Sequence, residues 1–496
     1  MTAINFILVS ILYFWCSSTS LSLGIGYYTL YRPIVSGMLT GLILGDFSLG
    51  MLAGAVINII YIDFVSTGGS FKGDQCLTAI IASAAAILYK LTPVEAAAIA
   101  YPFGYIGILL WKYRLNINTL FVNIYDNKYK IGLKPNISIY NGFLPQLLLF
   151  IMSSAVTALS IIILFLIKGL FIYIKDIRSI LFIMGIFLIN ISIFNRLLKL
   201  EGYKNIIIFL AAVIITFVFN INSIIILFLL LIIIYVIIKD ISLNKDKNLI
   251  INNDKKVLRE KDLLYSWFIW MNFSHSCYNY ERLQGMAFAH SMKNVIKKLY
   301  RNDVEIFSGI NRYTEFFNTE PNVGTPIHGY IIYLEEQKSL GSEIVNISYI
   351  KKGMMGIAAG MGDSFTQVVL TPLFILMALI ICFDKKIIFT LIPITALGLL
   401  IIYISYTGWI NGYIYGKDAL IRRINLIKNN RIKKYYPIIY NGLFGCLVSR
   451  LIIYNYMTIK ENMSETISAT IISLIYMIAA RIISNIKIRG GGNNDK

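Results

Sequence analysis

The residues best suited to chemistry here are carboxylates and amides set among apolar stretches. Asp46 follows Gly37-Met38-Leu39-Thr40-Gly41-Leu42-Ile43-Leu44-Gly45, and Asn58, Asp63 and Asp74 flank a Ser66-Thr67-Gly68-Gly69-Ser70 loop. Further along, Asn279-Tyr280-Glu281-Arg282-Leu283-Gln284-Gly285 gathers four polar side chains, Asn318 follows Glu315-Phe316-Phe317, and Asp363 closes the small-residue run Gly353 to Gly362. Ionisable groups at membrane depth are costly and are usually functional. Amides and carboxylates that donate and accept at fixed angles suit a ligand made of hydroxyl groups, such as a sugar.

Each cluster also has a plainer reading. Asp46 either faces an aqueous pocket or caps a helix starting near Ser48. The Asn58–Asp74 stretch is either a ligand-bearing element or a solvated loop. The Asn279–Gly285 cluster is expected on a helix, where it is either a site or a solvated amphipathic face. Glu281 and Arg282 are adjacent and so point in different directions on a helix. Gly41 and Gly45, with Gly37, Gly50 and Gly54, fall at four-residue spacing and read as a helix-packing stripe. Gly360 and Gly362 are expected in a small-residue turn where backbones cross, ahead of Asp363. Neither Gly353–Gly362 nor Gly412–Lys417 satisfies the phosphate-loop pattern, and no strand precedes them.

Other chemistries are excluded on composition. The five cysteines, Cys16, Cys76, Cys277, Cys382 and Cys446, are dispersed, and the three histidines, His275, His290 and His328, form no metal-binding spacing. No metal, no cofactor and no catalytic residue are expected.

The elements that must position these residues are transmembrane helices. The chain has 496 residues, of which 57% are hydrophobic and only 14% charged. Disorder and an ordinary soluble enzyme are both incompatible with that balance. The formal charge of +19 arises from 45 Lys+Arg against 26 Asp+Glu. In so apolar a chain it reads as the basic excess of cytoplasmic loops, and no nucleic-acid partner is expected. Phe6–Cys16 lacks the basic flank of a secretory signal and is expected to begin a retained span. Apolar runs predict spans over 34–62, 76–89, 94–111, 143–174, 180–194, 206–238, 368–382, 387–406, 438–453 and 467–483. The run 206–238 would reach about 50 Å as one helix against a core of about 30 Å, so Asn220-Ile221-Asn222-Ser223 is expected to break it.

The polar stretch Lys239–Lys261 reads as a linker, and its lysines place it in the cytoplasm, as they do Lys417–Lys434 and Lys487–Lys496. The predicted fold is therefore an all-α polytopic membrane protein, with helical halves 1–238 and 263–496 joined by a cytoplasmic linker, 239–262. Helices over Leu263–Ser348 are expected to be amphipathic.

These same residues carry a family resemblance. Asn279–Gly285, Glu315–Pro321, Leu334-Glu335-Glu336-Gln337 and Ile350–Gly356 through Asp363 look like the ordered signatures of enzyme IID. That is a membrane subunit of the mannose–fructose–sorbose class of the bacterial phosphoenolpyruvate-dependent sugar phosphotransferase system (PTS). Arg32-Pro33, Gly41–Asp46, Gly50, Gly54 and Asp74 are similar to its partner subunit, enzyme IIC. The chain thus resembles a IIC–IID fusion. The resemblance implies a multi-pass permease of the bacterial plasma membrane that binds a hexose between its halves. It implies soluble IIA and IIB partners that carry the phosphohistidines, and a homotrimer. The substrate is expected to meet Asp46, Asn58, Asp74, Asn279, Glu281, Arg282, Gln284, Asn318 and Asp363 in some combination. Glu335, Glu336 and Gln337 are expected to hold helices around it. The sequence departs from the family where acidic residues usually precede Arg-Pro (here Gly26-Tyr27-Tyr28-Thr29-Leu30-Tyr31), at Asn58 in place of Glu, at His275-Ser276-Cys277-Tyr278, and at Thr371. Those departures motivate a second expectation, a transport-inactive receptor or sensor that keeps the fold.

Overall fold

The computed structural model describes residues 1–62, 73–169, 176–200, 202–219, 221, 223–241, 256–343, 346–428 and 431–491. Asp63, the Ser66–Ser70 loop and most of the expected linker lie outside the described residues. Among the described residues every regular element is helical. Among the described residues seven helices are long and apolar enough to cross a membrane, or eight if one bent pair is counted as a single span.

The first half opens with α1 (Ala3–Ser17), then α2 (Pro33–Leu44) and α3 (Phe47–Ile60). The glycine spacing acts here in a particular way. The expected long run 34–62 folds back on itself at Gly45, whose φ of +93° is open to glycine. The two glycine stripes then face each other. A Cβ on Gly50 would sit 2.6 Å from the Gly37 carbonyl oxygen, and one on Gly54 would sit 2.1 Å from the Pro33 oxygen. Only hydrogen fits there, so the backbones of α2 and α3 touch. Next come α4 (Gln75–Tyr89) and α5 (Pro93–Ala100), which are alanine-rich and buried. α6 (Phe103–Lys130) follows α5 after a 44° bend at Tyr101-Pro102 and runs well past the expected end at Trp111. The first half ends with α7 (Leu144–Lys168), α8 (Ile177–Leu197), α9 (Tyr203–Phe219) and α10 (Ser223–Ile241).

The break between α9 and α10 falls where the asparagines predicted it. It is held from the other half: Asp384 accepts from the Ser223 hydroxyl (2.5 Å) and backbone N–H (3.1 Å), and pairs with Arg450 (3.0 Å). Arg450 also donates to the Ile221 carbonyl. A buried charge pair of this kind persists only with further hydrogen bonds, which Ile221 and Ser223 at the break supply.

The second half begins with four shorter helices: α11 (Glu260–Phe273), α12 (Gly285–Leu299), α13 (Asp303–Arg312) and α14 (Thr325–Ser339). Then come α15 (Ile347–Phe365), α16 (Thr371–Phe383), α17 (Leu391–Tyr415), α18 (Lys417–Lys428), α19 (Arg431–Tyr454), α20 (Tyr456–Glu461) and α21 (Met463–Gly491). Gly353–Gly362 is therefore helix, not the expected turn. Gly353, Gly356 and Gly360 meet nothing within 4 Å, whereas a Cβ on Gly362 would strike the Glu320 side chain at 2.4 Å. The run stays helical because glycine costs only about 1 kcal/mol per residue and the α15–α16 segment is heavily packed at its C-terminal end.

Two π-helical turns, Ile139–Phe143 and Thr366–Leu370, lead into α7 and α16. Each precedes a proline, Pro145 or Pro372, at the start of the next helix. Proline lacks an N–H and its ring presses on the carbonyl four residues back, and a widened turn relieves both problems.

The halves interlock. α9 packs on α19, α8 on α21, and α10 on α16. At the centre, Arg114 of α6 donates to the carbonyls of His275 (3.2 Å) and Ser276 (2.9 Å), and Asn118 donates to that of Tyr278 (2.9 Å).

Candidate functional site: a cavity between the halves

A cavity of about 170 Å³ lies between the halves. From the first half it is lined by the segment after α1 and by α6, including Tyr27, Tyr28, Tyr31, Trp111 and Arg114. From the second half come His275, Tyr278, Gln284, Asn318, Thr319, Asp363 and Gln367. Aromatic side chains of the first half thus meet amides and one carboxylate of the second.

Two buried carboxylates stand behind this wall and fix the tyrosines. Asp74 caps α4 by accepting from the Leu77 N–H (2.8 Å). Its other oxygen accepts from Tyr31 (2.8 Å), from Trp111 Nε1 (3.0 Å) and from Tyr13. Glu320 takes the same part in the second half. It accepts from the Asn322 and Val323 N–H groups (3.0 and 2.5 Å) and, across the halves, from the Tyr28 hydroxyl (2.7 Å). Each carboxylate therefore anchors a loop or helix start and aims an aromatic ring at the cavity.

On the opposite wall, the Asn279–Gly285 cluster is a turn rather than the expected helix. Asn279 closes it, accepting from the N–H groups of Glu281 (3.1 Å) and Arg282 (2.9 Å) and donating to the Cys277 carbonyl (2.7 Å). Leu283 sits at φ +48°, a left-handed conformation that ends any helix. The reason is local competition: an asparagine side chain offers the backbone an alternative to helical bonding. The turn delivers Gln284 to the cavity. Its amide exchanges two hydrogen bonds with the Thr319 backbone, each 3.0 Å long, and so joins the two signature segments.

The expected site residues separate into groups. Gln284, Asn318 and Asp363 line the cavity, with Asp363 accepting from Gln367 (3.1 Å). Asp74 and Asn279 are buried and shape it from behind. Asn58 caps the start of α2, accepting from the Ile34 N–H at 3.0 Å, and borders a smaller second cavity. Arg282 lies outside, bonded to Asp126 and to Thr314 (3.0 Å). Glu281 is exposed. Asp46 is exposed too and caps α3 through the Leu49 N–H (2.9 Å), the plainer of its two readings. Gly41 and Gly362 are close-packing positions, while Gly45 and Gly360 are open.

Glu335 and Glu336 tie helices together. Glu335 accepts from Tyr300 (2.8 Å), Arg312 (2.5 Å) and Tyr313, and Glu336 from Tyr413 (2.6 Å) and the Val257 and Leu258 N–H groups. Gln337 is half-buried on the same helix.

Sequence reasoning missed the aromatic wall and Glu320. The signal was present as a cluster: Tyr27, Tyr28 and Tyr31 crowd the five positions before Arg32. Trp111 and Arg114 gave a weaker one, as polar residues at the end of an apolar run.

Fold and site together define a polytopic membrane protein with a polar, aromatic-lined chamber built by both halves of one chain. The sequence comparisons give the family. Residues 3–236 match the model of the PTS sorbose-specific IIC component, and residues 257–485 that of the PTS mannose/fructose/sorbose family IID component. The PTS mannose-specific EIID component of Escherichia coli strain K12 is 34% identical over 156 residues, which cover 31% of this chain and 55% of that protein. The fructose permease IID component of Bacillus subtilis strain 168 is 31% identical over 182 residues, covering 36% of this chain and 64% of that one. The chain thus spans little more than half the length of these relatives. A cryo-EM structure of the mannose transporter ManYZ with microcin E492 is 22% identical, covers 47% of this chain and 91% of that one, and has a TM-score of 0.29. The chain belongs to the mannose/fructose/sorbose family of PTS membrane components, with IIC-type and IID-type segments in one polypeptide. It is a multi-pass protein of the bacterial plasma membrane.

Proposed function

We propose that this chain is the sugar-translocating permease of a phosphoenolpyruvate-dependent PTS, binding a hexose in the central cavity and presenting it to a soluble phospho-IIB. The observation that carries the reading is the cavity itself. Aromatic side chains line it together with amides and a carboxylate, and both family segments contribute to it. The Tyr27, Tyr31 and Trp111 rings offer apolar surface for the C–H side of a sugar. Gln284, Asn318 and Asp363 supply donors and acceptors for its hydroxyls. Asp74, Asn279 and Glu320 hold the lining groups in place.

In this reading residues 1–238 are the IIC-like domain, 263–496 the IID-like domain, and 239–262 a cytoplasmic linker. IIA and IIB proteins carry the phosphohistidines. At the final step the histidine P–N bond of IIB breaks, a P–O bond forms to a sugar hydroxyl, and the hydroxyl proton leaves. This chain's residues bind and orient the sugar for that transfer. The working unit is a homotrimer, as the family resemblance implies.

The test is phosphoenolpyruvate-dependent uptake and phosphorylation of labelled hexoses by membranes holding this chain and its IIA and IIB. Asp363→Asn and Gln284→Ala should each lower uptake at least tenfold. Sugar binding without any phosphorylated product would identify a transport-inactive receptor instead.

A further inference from the structure

The second cavity, of about 30 Å³, adjoins the first, and Tyr27 and Gln367 line both. A ligand that filled both would pass these two side chains. Gln367 belongs to the π-helical turn before α16, whose widened backbone turns this side chain toward the junction.

Two donors in the small cavity have no partner. Arg32 is 7% exposed, its Nε meets no acceptor, and among the described residues no carboxylate lies within ion-pair distance of it. Its guanidinium lies over the Tyr27 ring at 5.0 Å. Gln75 is 2% exposed, and its Nε2 is also unpartnered. Asn58 accepts from the Ile34 N–H and bonds to neither of them. A guanidinium cannot shed its proton, so the charge remains, and a buried charge without a partner is expensive.

The formal charges across the two cavities sharpen the point. Arg32 and Arg114 are cationic and Asp363 is the single carboxylate lining them. Asp74 and Glu320 are occupied by tyrosine hydroxyls and backbone N–H groups. The two adjoining cavities together are left with a cationic excess, and the smaller one with two donors. By size, the small cavity admits about two water-sized groups, which matches the two oxygens of a carboxylate. The planar guanidinium is the side chain best suited to such a group.

We propose that the second cavity is a carboxylate subsite formed by Arg32 and Gln75, and that the substrate is an acidic sugar rather than a neutral hexose. This rests on the permease reading and replaces its hexose with the corresponding sugar acid. An aldonate is a natural candidate, since it places the carboxylate at one end and keeps a primary hydroxyl for phosphorylation at the other. A uronate shares the recognition chemistry.

The test is calorimetric titration of the full chain in lipid nanodiscs with glucose, mannose and galactose and with their aldonates and uronates. At least one acid should bind roughly tenfold or more tighter than its parent hexose. Arg32→Gln should collapse that ratio to about twofold, whereas Arg32→Lys, which keeps the charge without the fork, should retain part of it. If Arg32→Gln fails to fold, Gln75→Leu serves instead and should lower the same ratio. Whether the aldonate or the uronate gains shows which end of the sugar enters the subsite. A hexose that binds as well as its acids, or an acid preference that survives Arg32→Gln, overturns the subsite and leaves the permease reading intact. No binding by any of these sugars overturns both.

Discussion

Asp74 and Glu320 stand behind the wall of the candidate cavity and act on it through the tyrosines that they hold. Each is fully enclosed and accepts from backbone N–H groups with one hand and from tyrosines with the other. Removing one member of such a network strands several donors at once, and each buried orphan costs about 1–3 kcal/mol. Asp74→Ala should therefore lower stability by several kcal/mol, whereas Tyr31→Phe, which removes a single bond, should cost about 1 kcal/mol. Thermal unfolding in detergent reads both. Glu281→Ala makes the opposite case. The side chain is exposed on the outer rim of its turn, so uptake should change by less than about twofold, and a larger loss would place a ligand or partner on that rim. Lys351 poses a different question. It is fully buried, its Nζ has no hydrogen-bond partner, and the rings of Phe288, Tyr313 and Phe317 lie 5.2 to 5.9 Å away. Cation–ring attraction of about 2 kcal/mol offsets only part of the burial cost, so Lys351→Met should be neutral or stabilising in the same unfolding assay.

At the scale of elements, two devices hold helices in place. The first is the glycine face shared by α2 and α3, which brings Arg32 and Asn58 side by side. Gly54→Ala places a methyl 2.1 Å from the Pro33 oxygen, backbone that cannot yield without parting the helices. The expected penalty is about 1–3 kcal/mol, visible as a lowered unfolding temperature. The second device is Glu335 at the meeting of α12, α13 and α14. Its carboxylate is inaccessible and the Arg312 guanidinium that it pairs with is mostly buried. Glu335→Ala leaves that cation and two tyrosine hydroxyls unanswered. A loss of about 3 kcal/mol or more is expected, against a smaller one for Glu335→Gln, which keeps an acceptor.

Taken as a whole, the two halves are held together by hydrogen bonds and helix contacts between residues far apart in the chain. Arg114, Asn118, Gln146 and Tyr28 all bond across the halves, and Thr19 donates to the Asn272 carbonyl (2.9 Å). α9 is clasped by α19, and the break after α9 is clamped by Asp384 and Arg450. Segments 1–241 and 256–496, expressed together as separate chains, should therefore copurify through a tag on either one. Failure to copurify would show that the covalent join is needed for assembly.

Some of this was fixed before any folding. Hydropathy sets the helical class, because a bilayer offers no partner for an unpaired backbone group. Two asparagines in a long apolar run set the break between α9 and α10, and the four-residue glycine spacing set a close helix contact. The partner of that stripe was not legible, since spacing along one helix does not say that the chain doubles back at Gly45 to meet itself. The site was partly legible for the same reason. Gln284, Asn318 and Asp363 could be chosen by type and setting, and they do converge. Glu281 and Asp46 have the same chemistry and face outward, because orientation depends on a left-handed Leu283 and on which helix start needs a cap. The tyrosines before Arg32 became a cavity wall only when Asp74, from 43 residues away, and Glu320, from 292 away, took up their hydroxyls. Local pattern carries the burial and the period of each element. Which buried donor meets which acceptor, and which is left open for a ligand, is decided by packing between segments distant in the chain.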